Sequence, residues 1–261
     1  MTPTRIGILD SGVGGLSVLR EIRNLLPSSP LHYVGDSAWC PYGNKDPQTI
    51  RERVVEITDY LLSHGAGIIV IACNSATIHA VGHLRATYPV PIVGMEPGVK
   101  PAAEKSRAGI VGVLATEASI AGEKFHQLVS RHAQGVRVIT RPCPRFVELV
   151  ESGVLSGSEA EAAIDEILTP ILETGADAIV LGCTHYPFLR SIIEARLPDS
   201  VFVIDTGVAV ARRVESQLPA RGNGENVASI QIETTGDLDH LKKLLPTLLP
   251  HVECETSHCA I

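Results

Sequence analysis

The stretch Ala66-Gly-Ile-Ile-Val-Ile-Ala-Cys-Asn-Ser-Ala76 decides the fold class. Residues 68–73 within it are apolar at every position, with no alternation between apolar and polar side chains. Such a run is typical of a strand buried on both faces, and therefore of a parallel sheet with helices on each side. The polar residues that follow Cys73 indicate the end of this strand and the beginning of a helix.

Similar runs recur along the chain and predict eight further strands. The nine predicted strands cover residues 6–10, 31–36, 68–73, 92–95, 110–115, 136–140, 178–183, 201–205 and 230–234. The first four begin between 104 and 110 residues before the next four. This spacing predicts two α/β units of like topology, beginning near Ile6 and Gly109 and joined by residues 97–105.

Helical periodicity fills the segments between these strands. Ser158 and Glu161 form a candidate capping box at the beginning of one helix. The pattern of that helix contains Pro170, which we expect to kink or split it.

Composition excludes several classes of protein. The chain has 261 residues, 44% of them apolar, which is typical of a packed globular protein. Its net charge of −7 and the lack of any Lys/Arg run longer than two disfavour a nucleic-acid partner. No apolar stretch approaches the roughly 20 residues of a membrane helix. Six cysteines without a secretory signal pattern indicate free thiols in a reducing cytoplasm.

Two cysteines stand at the ends of matched strands, where open parallel sheets bind ligands. Cys73 is followed by Asn74-Ser75, and Cys183, 110 residues later, by Thr184-His185. A thiolate at a helix amino terminus is favoured by the helix dipole and by free N–H groups. Two such thiols facing each other across a cleft suit inversion of a C–H centre, in which one face loses a proton and the other gains one.

The neighbouring polar residues could assist this chemistry. Asp10 and His185 are candidates to relay protons, and Asp36 is, with Asp10, a candidate to hold a substrate ammonium group. Buried cysteines often simply pack, however, and that interpretation stays open for each cysteine taken alone. For Cys40 and Cys143 we expect packing or bystander roles, although Cys40 lies close to the proposed cleft.

Five blocks of sequence resemble the glutamate racemase family, in the family's order. They are Asp10-Ser-Gly-Val-Gly-Gly15, Gly35-Asp36 with Pro41-Tyr-Gly43, Ala72-Cys-Asn-Ser-Ala76, Glu96-Pro-Gly98 and Gly182-Cys-Thr-His-Tyr-Pro187. The resemblance implies a cofactor-independent enzyme that interconverts L- and D-glutamate by a two-thiol, two-base proton transfer. It also implies a cytoplasmic protein that supplies D-glutamate for peptidoglycan synthesis, and a homodimer.

The same resemblance implies roles for individual residues. Cys73 would be the base that acts on D-glutamate and Cys183 the base that acts on L-glutamate, with Asp10 and His185 assisting them. A further family glutamate matches Glu151 best, although Glu148 lies close by. The implied substrate contacts are Asp10, Ser11, Tyr42, Gly43, Asn74, Ser75, Thr184 and His185. No metal or organic cofactor is expected.

The implied fold has two similar α/β domains with mostly parallel sheets and the active site in the cleft between them. Residues 1–97 with 207–261 would form the first domain, and residues 98–206 the second.

Other interpretations are weaker. A dinucleotide fingerprint beginning at Gly12 lacks its third glycine, because position 17 is serine. A pyridoxal-phosphate racemase needs a lysine in the site, and no lysine ends a predicted strand. The tail, with Cys254, His258 and Cys259, matches no standard zinc spacing. An aspartate or other amino-acid racemase of the same superfamily and a two-lobed amino-acid-binding protein remain as alternatives.

Overall fold

The computed structural model describes residues 3–219 and 227–261, and within these ranges the strands form two parallel sheets. One sheet has six strands and the other four, and every neighbouring pair runs in the same direction. The structure confirms the predicted α/β class.

The first unit alternates strands and helices from the amino terminus. Its elements are β1 (Arg5–Asp10), α1 (Leu16–Leu25), β2 (Leu31–Gly35), α2 (Pro47–Ser63), β3 (Ala66–Ile71), α3 (Asn74–Thr87) and β4 (Ile92–Gly94). Between β2 and α2 the chain forms two short 3-10 turns, Ser37–Trp39 and Tyr42–Asn44.

The second unit follows a short connecting helix, α4 (Val99–Lys105). Its elements are β5 (Ile110–Ala115), α5 (Glu117–Ala121), α6 (Glu123–His132), β6 (Arg137–Pro142), α7 (Pro144–Glu151), α8 (Ser158–Leu172), β7 (Ala178–Leu181), α9 (Arg190–Glu194) and β8 (Phe202–Ile204). The remaining elements are α10 (Gly207–Gln217), β9 (Ile230–Thr234), α11 (Leu238–Leu248) and β10 (Glu255–His258).

The two sheets repeat one strand order, which confirms the prediction of two similar units. The six-stranded sheet has the order β10-β9-β2-β1-β3-β4, and the four-stranded sheet has β6-β5-β7-β8. The segment β2-β1-β3-β4 therefore corresponds strand by strand to the whole second sheet. β9 pairs with β2, so the chain returns to the first sheet after α10. The boundaries 1–97 with 207–261, and 98–206, stay a prediction.

A large cluster of buried hydrophobic side chains extends through both units. Ile6 and Ile8 of β1 belong to the same cluster of buried side chains as Leu181 at the end of β7 and Val147 of α7. In addition, α10 packs against α1. This continuity holds the carboxyl ends of the two sheets close together.

The predicted helix at Ser158 differs from the observed one in two respects. Gly157, not Ser158, is the N-cap residue of α8, and its φ of 90° lies in a region that glycine adopts without strain. Pro170 does not split the helix, since α8 continues through it to Leu172.

The tail contains a strand that is not among the nine predicted ones. Residues Glu255–His258 form β10, which pairs with β9 at the edge of the first sheet.

Among the residues that the structure describes, no helix is both long enough and apolar enough to cross a bilayer.

Candidate active site

Cys73 occupies the N-cap position of α3, two residues after β3 ends. Its Sγ accepts the N–H of Ala76 at 3.4 Å, one of the N–H groups that a helix leaves without an intrahelical partner. The side chain is buried, with 6% of its surface exposed. The matched strand and helix thus place this sulfur at the carboxyl edge of the first sheet, as predicted.

Cys183 follows β7 at the equivalent edge of the second sheet. The chain continues into a 3-10 turn, Tyr186–Leu189, before α9, so no α-helix begins at this cysteine, contrary to the prediction. The Sγ of Cys183 instead lies 3.6 Å from Nδ1 of His185. The two cysteines are therefore equivalent in position but have different neighbours.

Both cysteines line one narrow cavity. The predicted residues that share this cavity are Ser11, Tyr42, Gly43, Asn74, Ser75, Thr184 and His185. The remaining lining residues are Pro41, Thr116 and Val147. Since the lining comes from both units, the cavity lies in the cleft between them.

The glycine-rich loop after β1 wraps around a buried carboxylate. Oδ2 of Asp10 accepts the N–H groups of Gly12 at 3.2 Å and Gly15 at 3.0 Å, and Oδ1 lies 3.4 Å from the hydroxyl of Thr184. A Cβ at Gly14 would collide with the ring of His185, so only glycine fits there. The N–H groups of Gly12, Val13 and Gly15 thus bind side-chain carboxylates of the protein itself.

His185 forms a charged pair with Glu151 on α7. Its Nε2 lies 2.7 Å from Oε1 of Glu151, which also accepts the N–H of Val13 at 2.9 Å. Glu148 points elsewhere, since it is exposed and pairs with Arg145 at 2.8 Å. Of the two candidate glutamates, the structure therefore brings Glu151 to the site.

The pKa shifts follow from this arrangement. Burial opposes the charged form of His185, but hydrogen bonds with Cys183, Cys40 and Glu151 outweigh it and raise the pKa of the imidazole well above its ordinary value. Burial works against the Glu151 carboxylate, yet the bond with His185 brings its pKa below the usual range. Burial, with the nearby Asp10, raises the pKa of the Cys73 thiol. Burial also raises the pKa of Asp10.

Asp36 does not face the cavity with a free oxygen, contrary to the hypothesis that it holds an ammonium group. Arg53 donates to Oδ1 at 2.8 Å and to Oδ2 at 3.0 Å. Thr235 donates to Oδ1 at 2.8 Å, and the Tyr42 hydroxyl donates to Oδ2 at 2.6 Å. Because four donors from the protein occupy both oxygens, Asp36 anchors Tyr42 beside the site instead.

Asn74 carries the unsatisfied polar groups of the cavity. Its Oδ1 and Nδ2 are buried, and among the described residues neither atom has a hydrogen-bond partner. Buried amides without partners are costly, about 1–3 kcal/mol for each group, so they indicate a place where a polar ligand binds.

Thr116 and Ser119, which lie near the cavity, are not among the predicted site residues. The hydroxyl of Ser75 lies 2.9 Å from that of Thr116 and 3.3 Å from that of Ser119, across the boundary between the units. Thr116 directly follows β5, the strand equivalent to β1, so the rule that ligands bind at strand ends could have found it. Cys40, expected to be a bystander, also lies at the site, where its Sγ donates to Oε1 of Glu151 at 3.4 Å.

Comparison with known proteins agrees with this geometry. The sequence profile of the Asp/Glu/hydantoin racemases matches residues 6–214. The chain is 49% identical over 250 residues to the glutamate racemase of Ectopseudomonas mendocina, an alignment that covers 94% of each protein.

Solved structures give the same result. The glutamate racemase of Escherichia coli, in complex with L-glutamate and the activator UDP-MurNAc-ala, matches with a TM-score of 0.87 and 32% identity, over 99% of this chain and 100% of the other. The glutamate racemase RacE1 of Bacillus anthracis matches with a TM-score of 0.89 and 26% identity, over 100% of this chain and 99% of the other. This chain belongs to the Asp/Glu/hydantoin racemase family, whose members are isomerases that act without pyridoxal phosphate.

Proposed function

We propose that this protein interconverts L- and D-glutamate without a cofactor, by proton transfer between the substrate and two thiols. The observation that carries the proposal is the pair Cys73 and Cys183, which reach one cavity from the equivalent ends of two similar sheets. A substrate held between two such groups can lose a proton on one face and receive one on the other.

The reaction balances without an added oxidant, reductant or cofactor. One cysteine, as a thiolate, removes the α-proton, and the electron pair of the broken C–H bond stays on the substrate, spread into its carboxylate. The other cysteine, as a thiol, donates its proton to the opposite face and forms the new C–H bond. Each turnover leaves the two sulfurs with exchanged protonation states.

The surroundings of the sulfurs favour one starting arrangement. Burial raises the pKa of Cys73, which favours its neutral thiol. The Cys183 sulfur lies 3.6 Å from Nδ1 of His185, whose raised pKa favours an imidazolium. This arrangement suits L-glutamate, from which Cys183 removes the proton while Cys73 supplies one. Reaction of D-glutamate uses the reverse arrangement.

The polar lining suits an amino acid. The unpaired amide of Asn74 offers Nδ2 to a carboxylate and Oδ1 to an ammonium group. Ser11 and Thr184 add hydroxyls from opposite sides of the cleft. Oriented donors of this kind stabilise the negative charge that develops on the substrate carboxylate. Asp10, with its raised pKa, lies behind Thr184 and assists Cys73.

Glutamate is the substrate named for the relatives that match over nearly the whole chain. Two structures of an aspartate racemase and an aspartate racemase homologue resemble this chain at only 16–18% identity, which shows a shared fold alone. We propose further, as the family resemblance implies, that this protein supplies D-glutamate for peptidoglycan synthesis in the cytoplasm and forms a homodimer.

The test is racemisation of each enantiomer of glutamate in D₂O with no cofactor added, beside L- and D-aspartate as controls. Early in the reaction the product should carry deuterium at Cα while the remaining substrate carries none, because different groups remove and donate the proton. Equal labelling of substrate and product would refute the two-thiol mechanism. A binding protein would leave both enantiomers unlabelled, and faster turnover of aspartate would overturn the substrate assignment.

A further inference from the structure

Three side chains beside the cavity form a cluster with the ligand atoms of a transition-metal site. The sulfur of Cys40, a carboxylate oxygen of Glu151 and a ring nitrogen of His185 all lie within 4.8 Å of one another. Cys40 Sγ is 3.4 Å from Glu151 Oε1, which is 2.7 Å from His185 Nε2. The three residues come from the loop after β2, from α7 and from the turn after β7, so the cluster depends on the folded cleft.

The geometry points to a binding site for Zn²⁺, or another thiophilic divalent cation, formed by Cys40, Glu151 and His185. Sulfur, carboxylate oxygen and imidazole nitrogen are the three ligand types that zinc takes in proteins. Zinc bonds of about 2.0–2.3 Å in a tetrahedron put ligand atoms roughly 3.3–3.6 Å apart. The sulfur–oxygen distance already has this value, and the oxygen–nitrogen distance has to widen by about half an ångström.

Groups outside the cluster orient the ligands as they do in zinc proteins. The N–H of Val13 holds the Glu151 oxygen at 2.9 Å. Nδ1 of His185 lies 3.6 Å from the sulfur of Cys183, so Nδ1–H can donate a hydrogen bond to this sulfur while Nε2 binds the metal. Cys40 and Glu151 also line a second, wider cavity, from which water can fill the fourth coordination position. On binding, the protons of the Cys40 thiol and of His185 Nε2 pass to the buffer.

Occupation of this site inhibits racemisation, a consequence that rests on the proposed function. Nε2 of His185 can no longer take up a proton once it coordinates the metal. Because the two enantiomers have equal free energies in water, the resulting loss of kcat/KM is the same in both directions.

The experiment titrates the full chain, produced without a polyhistidine tag, with Co²⁺ as a spectroscopic probe and then with Zn²⁺ as competitor. Thiolate-to-cobalt absorption in the near ultraviolet should appear with one equivalent and disappear on addition of Zn²⁺. Cys40→Ser should lower the affinity by about 100-fold or more, because even the loss of an outer-shell partner costs about 10–100-fold. Cys254→Ser, which changes a half-buried cysteine of the tail, should keep the wild-type spectrum and affinity.

Retention of the cobalt absorption in Cys40→Ser, with its loss in Cys73→Ser, would overturn the proposal and place the metal between the two thiols of the cavity. Absence of the absorption from the wild-type protein would overturn it as well. The spectrum does not depend on racemase activity, so a failed proposed function and a failed metal site give different results. Inhibition by Zn²⁺ is measured separately, with each variant compared with its own metal-free rate, and should be much weaker in Cys40→Ser.

Discussion

Replacement of Glu151 by glutamine tests whether His185 works through its charge. The change keeps the size of the side chain and leaves an oxygen that can accept the N–H of Val13 and the proton of His185. It removes the negative charge that lies 2.7 Å from Nε2 and helps to raise the pKa of His185. We therefore expect a lower pKa for the imidazole and slower proton transfer at the Cys183 sulfur, which lies 3.6 Å from Nδ1 of His185.

The magnitude follows from the type of hydrogen bond that is lost. A bond to a charged group contributes about 1.5–3 kcal/mol and a neutral one about 0.5–1.5 kcal/mol. The difference of about 1–2 kcal/mol corresponds to a loss of roughly 5–30-fold in kcat/KM. The two enantiomers have equal free energies in water, so kcat/KM must fall by the same factor in both directions.

The assay follows both directions by circular dichroism over a range of pH. The alkaline limb of the kcat/KM profile, where His185 loses its proton, should move to lower pH in Glu151→Gln. Glu148→Gln is the matched control, because it makes the same change one turn away on α7, where the side chain is exposed and pairs with Arg145. Equal losses in the two variants, or an unmoved alkaline limb in Glu151→Gln, would refute the reasoning.

Three further predictions concern other parts of the protein. Cys73→Ser and Cys183→Ser should each abolish racemisation in both directions. Slow deuterium exchange should persist only into L-glutamate in Cys73→Ser and only into D-glutamate in Cys183→Ser. Near-normal turnover of either variant contradicts the assigned roles. Gly14→Ala should lower the free energy of unfolding by about 1–3 kcal/mol through its collision with His185, whereas Gly82→Ala, in an open position on α3, should raise it by about 0.5–1 kcal/mol in the same urea titration. As the pH is lowered from about 6.5 to about 5 the Tm should fall, because burial depresses the pKa of His32 in the folded state and only the unfolded chain takes up the proton. His32→Gln should flatten this dependence of the Tm on pH. An unchanged slope in that variant would exclude His32 as its cause.

The acid-side prediction is separate from the contribution of His185, which has the opposite sign. A raised folded-state pKa contributes stability that is fully present below the unfolded value of about 6.5 and is lost as the pH rises through the folded value. His185 therefore affects stability above this pH and His32 below it.

The positions of the two cysteines could be predicted from the sequence because they depend on local patterns. An unbroken apolar run predicts a buried parallel strand, and the residue that follows it must lie at the carboxyl edge of the sheet. The repeated spacing then predicts that Cys73 and Cys183 are equivalent. The structure moves only the strand ends, to Ile71 and Leu181, two residues before each cysteine.

The interactions that depend on distant parts of the chain could not be predicted in this way. Asp36 stands at a strand end, but its partner Arg53 lies on the following helix, and no local pattern shows that their side chains meet. Cys40 lies in an irregular segment and reaches Glu151, 111 residues away. β10 lacks an apolar pattern because its Glu255–His258 backbone pairs on one side only, at the edge of the sheet.

The unequal neighbours of the two sulfurs have a kinetic consequence. In the proposed mechanism the free enzyme exists between turnovers as two protonation isomers, each competent for one enantiomer, and the two sulfurs that exchange the proton have different neighbours. Each enantiomer therefore binds to a different isomer, so KM and kcat can differ between the two enantiomers, whereas kcat/KM must be equal because the enantiomers have equal free energies in water. The proposed reaction has no thermodynamic preference between mirror images, but the protein binds its two substrates in different protonation states.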